Sequence, residues 1–246
     1  MKKTISIIFL SISLLTSYVL ASTFPNQNVQ TNLKKDLFQL NVDHRFLTSI
    51  SDEPLGNFFG LDGLNTTKLK LTYAAQDNLH LSLARSTVEK EFTFDTTYKL
   101  PPMQGIIPTV GLEFFSFKEG DKSRQQNFFY YINGHYPNII EKLTPVLSMG
   151  IDGFNNHLGF AFGANYEVRN DINVSAEWIE SKTVSGNEHS LFLNAIFTGD
   201  IYNFTVMLGN NQSLSFRRNL EGAPSKDLTL GFKLSRSFDW ISYFKK

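Results

Sequence analysis

The chain contains no cysteine among its 246 residues. Disulfide bonds, thiolate metal sites, thiol nucleophiles and lipid attachment to an N-terminal cysteine are therefore excluded. The 23 basic residues equal the 23 acidic residues, so the chain lacks the basic excess that is typical of nucleic-acid-binding proteins. Beyond the first residues, no apolar run reaches the roughly 20 residues that a membrane-spanning helix needs.

The N-terminus has the three parts of a secretory signal peptide. Two lysines follow the initiating methionine, residues 5–15 are apolar, and Ala21 precedes Ser22 at a small-residue cleavage site. The apolar stretch is shorter than a spanning helix, which argues against an uncleaved membrane anchor. We therefore expect three parts: a signal peptide at residues 1–21, a short periplasmic N-terminal tail at residues 22–33, and an outer-membrane β-barrel at residues 34–246.

Apolar and polar residues alternate in segments of about ten residues from position 34 onward. Leu158, Phe160 and Phe162, for example, interleave with Gly159 and Gly163. Successive side chains of a β-strand point to opposite faces, so each such segment has one apolar and one polar face. This period indicates an all-β fold, a transmembrane antiparallel up-and-down β-barrel of about twelve strands, within a range of about ten to fourteen.

Aromatic residues are abundant, with 23 phenylalanines and nine tyrosines. A soluble domain would have to bury these rings in one core, whereas a membrane barrel can place them on its lipid-facing surface. A secreted β-sandwich or a lipocalin-like barrel is the soluble alternative. Its outward faces would be charged, and the faces predicted to point outward here carry almost no charge.

The connections between the predicted strands alternate in length. Tight turns rich in Asn, Asp and Gly occur near Asp77 and Gly199, and longer loops occur at residues 47–65, 118–126 and 210–226. Outer-membrane barrels have short periplasmic turns and longer outer loops. We therefore expect the first strand to run outward and the long loops to follow the odd-numbered strands.

Two positions bear on where strands begin and end. Pro145 removes a hydrogen-bond donor, so the seventh strand should begin after it or bulge there. Barrel chains often finish on an aromatic residue, but this chain finishes on two lysines. We therefore expect the last strand to end earlier, near Phe238 or Trp240.

Several short motifs in the first third of the chain resemble a known family. They are Asp43–Phe46, Asn57–Gly63, Leu71–Leu79 with Leu83–Ser86, and Glu89–Phe92 with Tyr98–Leu100. Together they resemble a family of uncharacterised bacterial (Bacteroidetes-type) outer-membrane β-barrel proteins, a DUF5777-like domain of unknown function. The resemblance implies an outer-membrane barrel, and it brings no catalytic residues with it.

Catalytic and metal-binding patterns are weak. His80 and Ser82 have the spacing used by an outer-membrane phospholipase architecture, and a base beside a hydroxyl is the minimum for an activated serine. Both side chains are predicted to point inward, however, whereas a lipid-cleaving site must meet lipid. The five histidines are dispersed, and Asp152–Asn156 lacks the closing glutamate of a calcium loop. We therefore predict a protein that is not an enzyme, with no catalytic residue, metal or cofactor.

The polar faces of the strands define the candidate functional surface, the barrel lumen. Its lining is predicted to include Lys68, Lys70, His80, Asp95, Lys99, Glu113, Asn165, Glu167, Asn173, Glu177, Asn203 and Lys233. Strands two to four would form a basic-leaning arc, and strands five, eight and nine an acidic one. Such a bore favours polar or zwitterionic solutes, and the loop at residues 47–65 could fold inward as a constriction.

The pattern favours a small passive channel for polar small solutes. The alternative is a sealed structural or surface-interaction barrel that presents its extracellular loops, because about twelve strands enclose only a modest bore. An outer-membrane hydrolase is a third and weaker interpretation. The expected partners are outer-membrane lipid, the barrel-assembly machinery and a polar small solute, with no nucleic acid.

Overall fold

The computed structural model describes residues 24–29, 33–52, 55–56, 58–118, 120–137, 139–180, 188–199 and 202–240. Within these residues, twelve antiparallel strands form a closed barrel in which the first strand pairs with the last. The predicted fold is therefore confirmed, while the predicted signal peptide lies outside the described residues. The same residues include no helix that is long and apolar enough to cross a membrane.

The strands match the predicted segments closely. They are β1 Phe38–Phe46, β2 Asn65–Gln76, β3 Leu79–Ser86, β4 Phe92–Lys99, β5 Ile107–Phe117, β6 Gln125–His135, β7 Leu143–Asp152, β8 His157–Arg169, β9 Ile172–Ile179, β10 Ser190–Thr198, β11 Tyr202–Gly209 and β12 Thr229–Phe238. The last strand ends at Phe238, as predicted. Short turns follow β2, β8 and β10, also as predicted, whereas the loop between β7 and β8 is shorter than expected.

The alternation of apolar and polar residues becomes an alternation of lipid-facing and inward side chains. Leu71 is 40% exposed, while its neighbour Thr72 is 6% exposed. A shift of one residue in register would turn every side chain to the opposite face, so burial of one face specifies the pairing. The ring-rich β6 follows the same rule, because Phe128 points outward and Phe129 is fully buried inside.

Pro145 does not displace its strand, so the expectation that β7 begins after it or bulges there is wrong. β7 starts at Leu143 and pairs with β8 in unbroken register through Pro145 and Ala164. On the other side, the ladder with β6 begins only at Val146, and the Pro145 carbonyl accepts a hydrogen bond from the Tyr136 N–H at 3.1 Å. The missing donor therefore falls at the end of a ladder, where proline is tolerated.

Two segments that are not part of the wall fill much of the lumen. One is residues 24–29, which we call the N-terminal plug. The other is the loop between β11 and β12, which carries the short helix α1 at Phe216–Asn219. Phe24, Phe216 and Leu220 are each only 1% exposed. Polar side chains of residues 24–29 find hydrogen-bond partners on the inner wall, whereas the predicted bounds of the periplasmic tail stay a prediction.

The first long loop does not constrict the bore, contrary to expectation. Its described residues are largely exposed, with Leu55 at 87% and Phe58 at 60%; residues 53, 54 and 57 lie outside the described part. The loop between β11 and β12 takes the inward position instead. Phe216 and Leu220 give that loop a small apolar face, one helical turn apart, that packs on the lumen wall.

An apolar cluster occupies one end of the inner wall of β5, β6 and β8–β10. It consists of Phe115, Phe117, Phe129, Tyr131, Ala161, Ile179 and Phe192 with Phe216 and Leu220 of the loop. Part of the aromatic content that we expected on the lipid-facing surface is therefore inside. The inner wall is otherwise polar, along β12 and β1–β4 and also at Glu113, Asn165 and Glu177.

The face assignment predicts opposite tolerance of charge at adjacent positions. Leu71→Arg should cost about 2–4 kcal/mol of unfolding free energy, because it places a guanidinium in lipid. Thr72→Arg is the matched control, because it adds the same charge on the inward face, and it should cost far less. Equal losses in urea titrations of the two variants in lipid vesicles would contradict the assignment.

Candidate functional site: the barrel lumen

The twelve residues predicted to line the lumen all lie on strand faces that alternate with the lipid-facing ones. They do not form a single site. Lys68, Lys70, His80, Asp95 and Lys233 surround one polar cavity of about 70 Å³. On the opposite side, Glu177 lies among the plug residues and Asn165 donates a hydrogen bond to Asn173 at 3.1 Å. Lys99, Glu113, Glu167 and Asn203 complete the set, with Glu113 and Asn203 almost fully buried.

Carboxylates are interleaved with the lysines of the polar cavity. Lys70 Nζ lies 3.4 Å from Asp95 Oδ2, and Lys233 Nζ lies 3.9 Å from Asp43 Oδ1. The Lys68 ammonium donates to the Leu214 carbonyl at 3.2 Å. The basic-leaning arc that the sequence suggests is therefore largely neutralised by its own neighbours.

The lumen wall also carries polar atoms that no protein atom satisfies. Within the described residues, buried polar atoms of Thr109, Glu113 and Asn203 have no hydrogen-bond partner. Buried polar groups in native proteins are almost always hydrogen-bonded, to protein or to water. Water is the usual partner of such buried groups where no protein atom is within reach.

Asn26 is the centre of the contacts made by the N-terminal plug. Its backbone N–H and its side-chain amide both donate to Glu177 Oε1, at 3.4 and 2.7 Å. Its side-chain oxygen accepts from the Arg45 guanidinium, and its carbonyl accepts from the Asn219 amide at 3.3 Å. One residue thus connects β1, β9 and the loop that carries α1.

Gln27 and Asn28 of the plug bond with side chains of β7 and β6, and Gly163 on the inward face of β8 leaves space for the plug. The Ser148 hydroxyl donates to Gln27 Oε1, and the Asn133 amide donates to the Asn28 carbonyl at 2.7 Å. A Cβ atom at Gly163 would lie 2.9 Å from both Phe24 and Gln27. Only glycine therefore leaves room for the plug at this point of the wall.

Two arginines of α1, Arg217 and Arg218, hold the loop between β11 and β12 inside one end of the barrel. Arg217 lies 2.5 Å from Glu91 Oε2 and 3.1 Å from Asp152 Oδ2, and its guanidinium stacks 4.0 Å above the Phe115 ring. Arg218 reaches the same Glu91 oxygen at 2.8 Å. Burial by itself lowers the pKa of Arg217, but the surrounding carboxylates, Glu91 foremost, raise it above its ordinary value.

Removing one partner of such a buried cluster leaves charges unpaired, which is costly. Asp152, noted in the sequence for its weak likeness to a calcium loop, is a partner of this arginine. The loop is therefore held by an ion-pair cluster in which Arg217 and Arg218 share Glu91, before β4, and Arg217 also pairs with Asp152 of β7.

The sequence did not reveal Asn26 or the two arginines as functional residues. Strand alternation identifies only side chains of the wall, and these three residues lie outside the strands. Two signals were available. The inward face of β8 reads Gly159, Ala161, Gly163, which implies that something other than the wall fills that space. Phe216 and Leu220, spaced one helical turn apart in a polar loop, form an apolar face that needs a partner.

His80 and Ser82 do not form a catalytic pair. His80 Nε2 lies 3.2 Å from the Leu33 carbonyl oxygen, and the Ser82 hydroxyl bonds with the Thr72 hydroxyl at 3.0 Å. Both residues are buried inside the barrel, away from lipid. Their arrangement does not activate a serine nucleophile.

The ion-pair cluster predicts how the outer loop responds to substitution. Arg217→Ala should lower the unfolding free energy by about 3–5 kcal/mol, because Asp152 loses its buried partner and Glu91 keeps only Arg218. The loop at residues 210–228 should then become sensitive to protease. Arg169→Ala removes an exposed ion pair with Asp171 and is the matched control, with no expected change in loop cleavage. Unchanged protection of the loop in Arg217→Ala would contradict the role of the cluster.

Comparisons with known proteins agree with this architecture. Among solved structures, the KdgM porin aligns with a TM-score of 0.56 and 10% identity, over 81% of this chain and 98% of that one. The NanC porin aligns with a TM-score of 0.51 and 9% identity, over the same shares of the two chains. At such low identity the likeness concerns the fold alone.

Sequence comparisons add the family. No curated protein matches the chain. Residues 21–107 match a family described as a membrane bound beta barrel domain (DUF5777), which confirms the resemblance noted in the sequence. Together with the porin-like fold, this match supports an outer-membrane location. The chain thus forms a closed twelve-stranded β-barrel whose fold is similar to that of the KdgM and NanC porins, and its residues 21–107 match the model of a membrane bound beta barrel domain.

Proposed function

We propose that the protein is an outer-membrane channel for small polar solutes and that the described structure is its closed state. The observation that carries the proposal is the polar cavity of about 70 Å³, which lies between the wall of β12 and β1–β4 and the N-terminal plug. Water-sized spaces of this kind hold only a few molecules, so the cavity marks a path without being open.

The path continues toward a larger cavity on the loop side of the barrel. That cavity measures about 630 Å³ and includes Thr66, Gln212, Ser213, Arg218 and Glu221 in its lining. Leu214 and Phe216 line the inner cavity, so the loop around α1 separates the two spaces. A solute entering from this side would meet side chains of both charges before it reached the plug.

The chemistry of the wall supports polar solutes. Lys68, Lys70 and Lys233 alternate with Asp43 and Asp95, which offers both donors and acceptors and little net field for simple ions. One KdgM porin structure is of a complex with disordered oligogalacturonate, with a TM-score of 0.51 to this chain. It shows a barrel of this fold with a polar solute, and it supports the same class of solute here.

The sealed structural or surface-interaction barrel is the second candidate. The apolar packing of Phe129 with Phe216 and Leu220 favours the sealed barrel, because these residues fill part of the lumen. Against it stands the hydrophilic wall behind the plug. A permanent filling would be expected to bury apolar side chains, since each unsatisfied polar group costs free energy.

Selectivity measurements test the channel and its path together. Lys68→Glu combined with Lys70→Glu should shift the reversal potential of single-channel currents toward cations, because inward positions of a barrel tolerate charge and determine selectivity. Lys118→Glu combined with Lys122→Glu makes the same charge change in the loop between β5 and β6, and it should leave the reversal potential nearly unchanged.

Two results would count against the proposal. Equal reversal potentials for both double variants would show that solutes do not pass along β2. If neither the wild-type protein nor either double variant conducts above background after insertion into planar bilayers, the sealed barrel replaces the channel.

A further inference from the structure

The N-terminal plug, residues 24–29, occupies the space through which a solute would have to pass. We infer that this plug is the gate of the channel and that Asn26 is the residue that keeps it closed. The inference rests on the proposed channel function and adds how the channel opens. It follows from four features of the plug: its backbone hydrogen bonds, the contacts of Asn26, the buried charged groups that hold it, and its position beside the polar cavity.

The backbone of the plug is not part of the barrel wall. In the described structure its backbone–backbone hydrogen bonds are local, from Gln27 N to the Phe24 carbonyl at 3.3 Å and from Val29 N to the Gln27 carbonyl at 2.8 Å. The twelve strands pair with one another without it. The plug can therefore leave the lumen without breaking any ladder hydrogen bond of the wall.

Asn26 attaches the plug to opposite parts of the wall. It bonds with Glu177 on β9 and with Arg45 on β1, and three strands separate these two along the barrel wall. Its amide also lies 3.4 Å from Asn194 on β10. Asn26 donates to Glu177, which also accepts from the Asn194 amide at 2.9 Å, and it accepts from Arg45, which no purely apolar side chain could do.

The charges that hold the plug are also those that water would stabilise after release. Glu177 and Arg45 are almost fully buried while the plug is in place. Burial of charged groups is costly even when they are hydrogen-bonded, and hydration of the open lumen would remove that cost. Water can therefore replace the protein partners of both groups when the plug leaves the lumen.

The position of the plug connects release to the opening of the path. Pro25, Gln27, Asn28 and Val29 line the same cavity of about 70 Å³ as Lys68 and Lys70. Removal of the plug would add the space that it occupies to that cavity, along β12 and β1–β4. The hydrogen bond from Asn219 to the Asn26 carbonyl also joins the plug to the loop that closes the other side.

The first test weakens the contacts of Asn26 without changing the wall. Asn26→Ala removes the side-chain bonds to Glu177 and Arg45, and the open probability in planar bilayers should rise by about tenfold or more, since bonds to charged groups are among the stronger ones. Asn170→Ala is the matched control, because Asn170 is an exposed asparagine in the turn between β8 and β9, outside the lumen. It should behave as the wild type does.

The second test locks the plug reversibly. The chain has no native cysteine. Gln27→Cys and Ser148→Cys together therefore introduce one pair of thiols, at positions whose side chains touch. Oxidation should abolish the openings, and reductant should restore them in the same membrane. The reduced protein is its own control for folding, which makes the result independent of whether Asn26→Ala assembles well.

The outcomes separate the gate from the channel. Openings that persist after the disulfide has formed, together with wild-type behaviour of Asn26→Ala, would overturn the gate while leaving the channel intact. Absence of conductance from the wild type, from Asn26→Ala and from the reduced double-cysteine protein would overturn both. Redox-controlled openings with increased activity of Asn26→Ala would establish the plug as the gate.

Discussion

Closure of the sheet through the pairing of β1 with β12 is the constraint on which the rest of the structure depends. Backbone groups in lipid have no water to bond with, so a sheet there must have no free edge. The pairing runs from Phe38 opposite Phe238 to Arg45 opposite Gly231. It aligns the inward faces of the two strands, and Asp43 on one then lies beside Lys233 on the other.

The width of the closed barrel creates a second requirement. In an eight-stranded barrel the side chains of the wall can fill the interior, whereas a twelve-stranded barrel has more interior space than they fill. In this protein, segments from outside the wall occupy that space, the N-terminal plug and the loop that carries α1. They meet at the hydrogen bond between Asn219 and Asn26. Different interactions hold these two segments. Buried ion pairs hold the loop, and side-chain hydrogen bonds hold the plug.

The apolar cluster and the polar cavity differ in what fills them. Phe129 and Tyr131 on β6 pack against Phe216 of the loop. Lys70 and Asp95 pair at 3.4 Å next to the polar cavity. The proposed solute path follows the polar cavity, so it requires movement of the plug while the apolar cluster remains packed.

The wall of the barrel could be predicted from the sequence because the alternation within each strand shows which side chains point outward and which point inward. Alternation assigns Leu71 to lipid and Lys70 to the interior without knowledge of any partner, and the number of segments determines the number of strands. Pro145 shows the limit of such reasoning. Whether its missing N–H matters depends on where the ladder with β6 begins, and that is a property of the paired strands.

What the sequence by itself determined is thus the architecture and the direction of each wall side chain, since both follow from a period of two. Only the tertiary structure decided what occupies the lumen. The contacts of Asn26 with Glu177 and of Arg217 with Glu91 join residues that are far apart in the chain. No periodic pattern marks such pairs, because each contact forms only when the closed wall brings its partners within hydrogen-bonding distance.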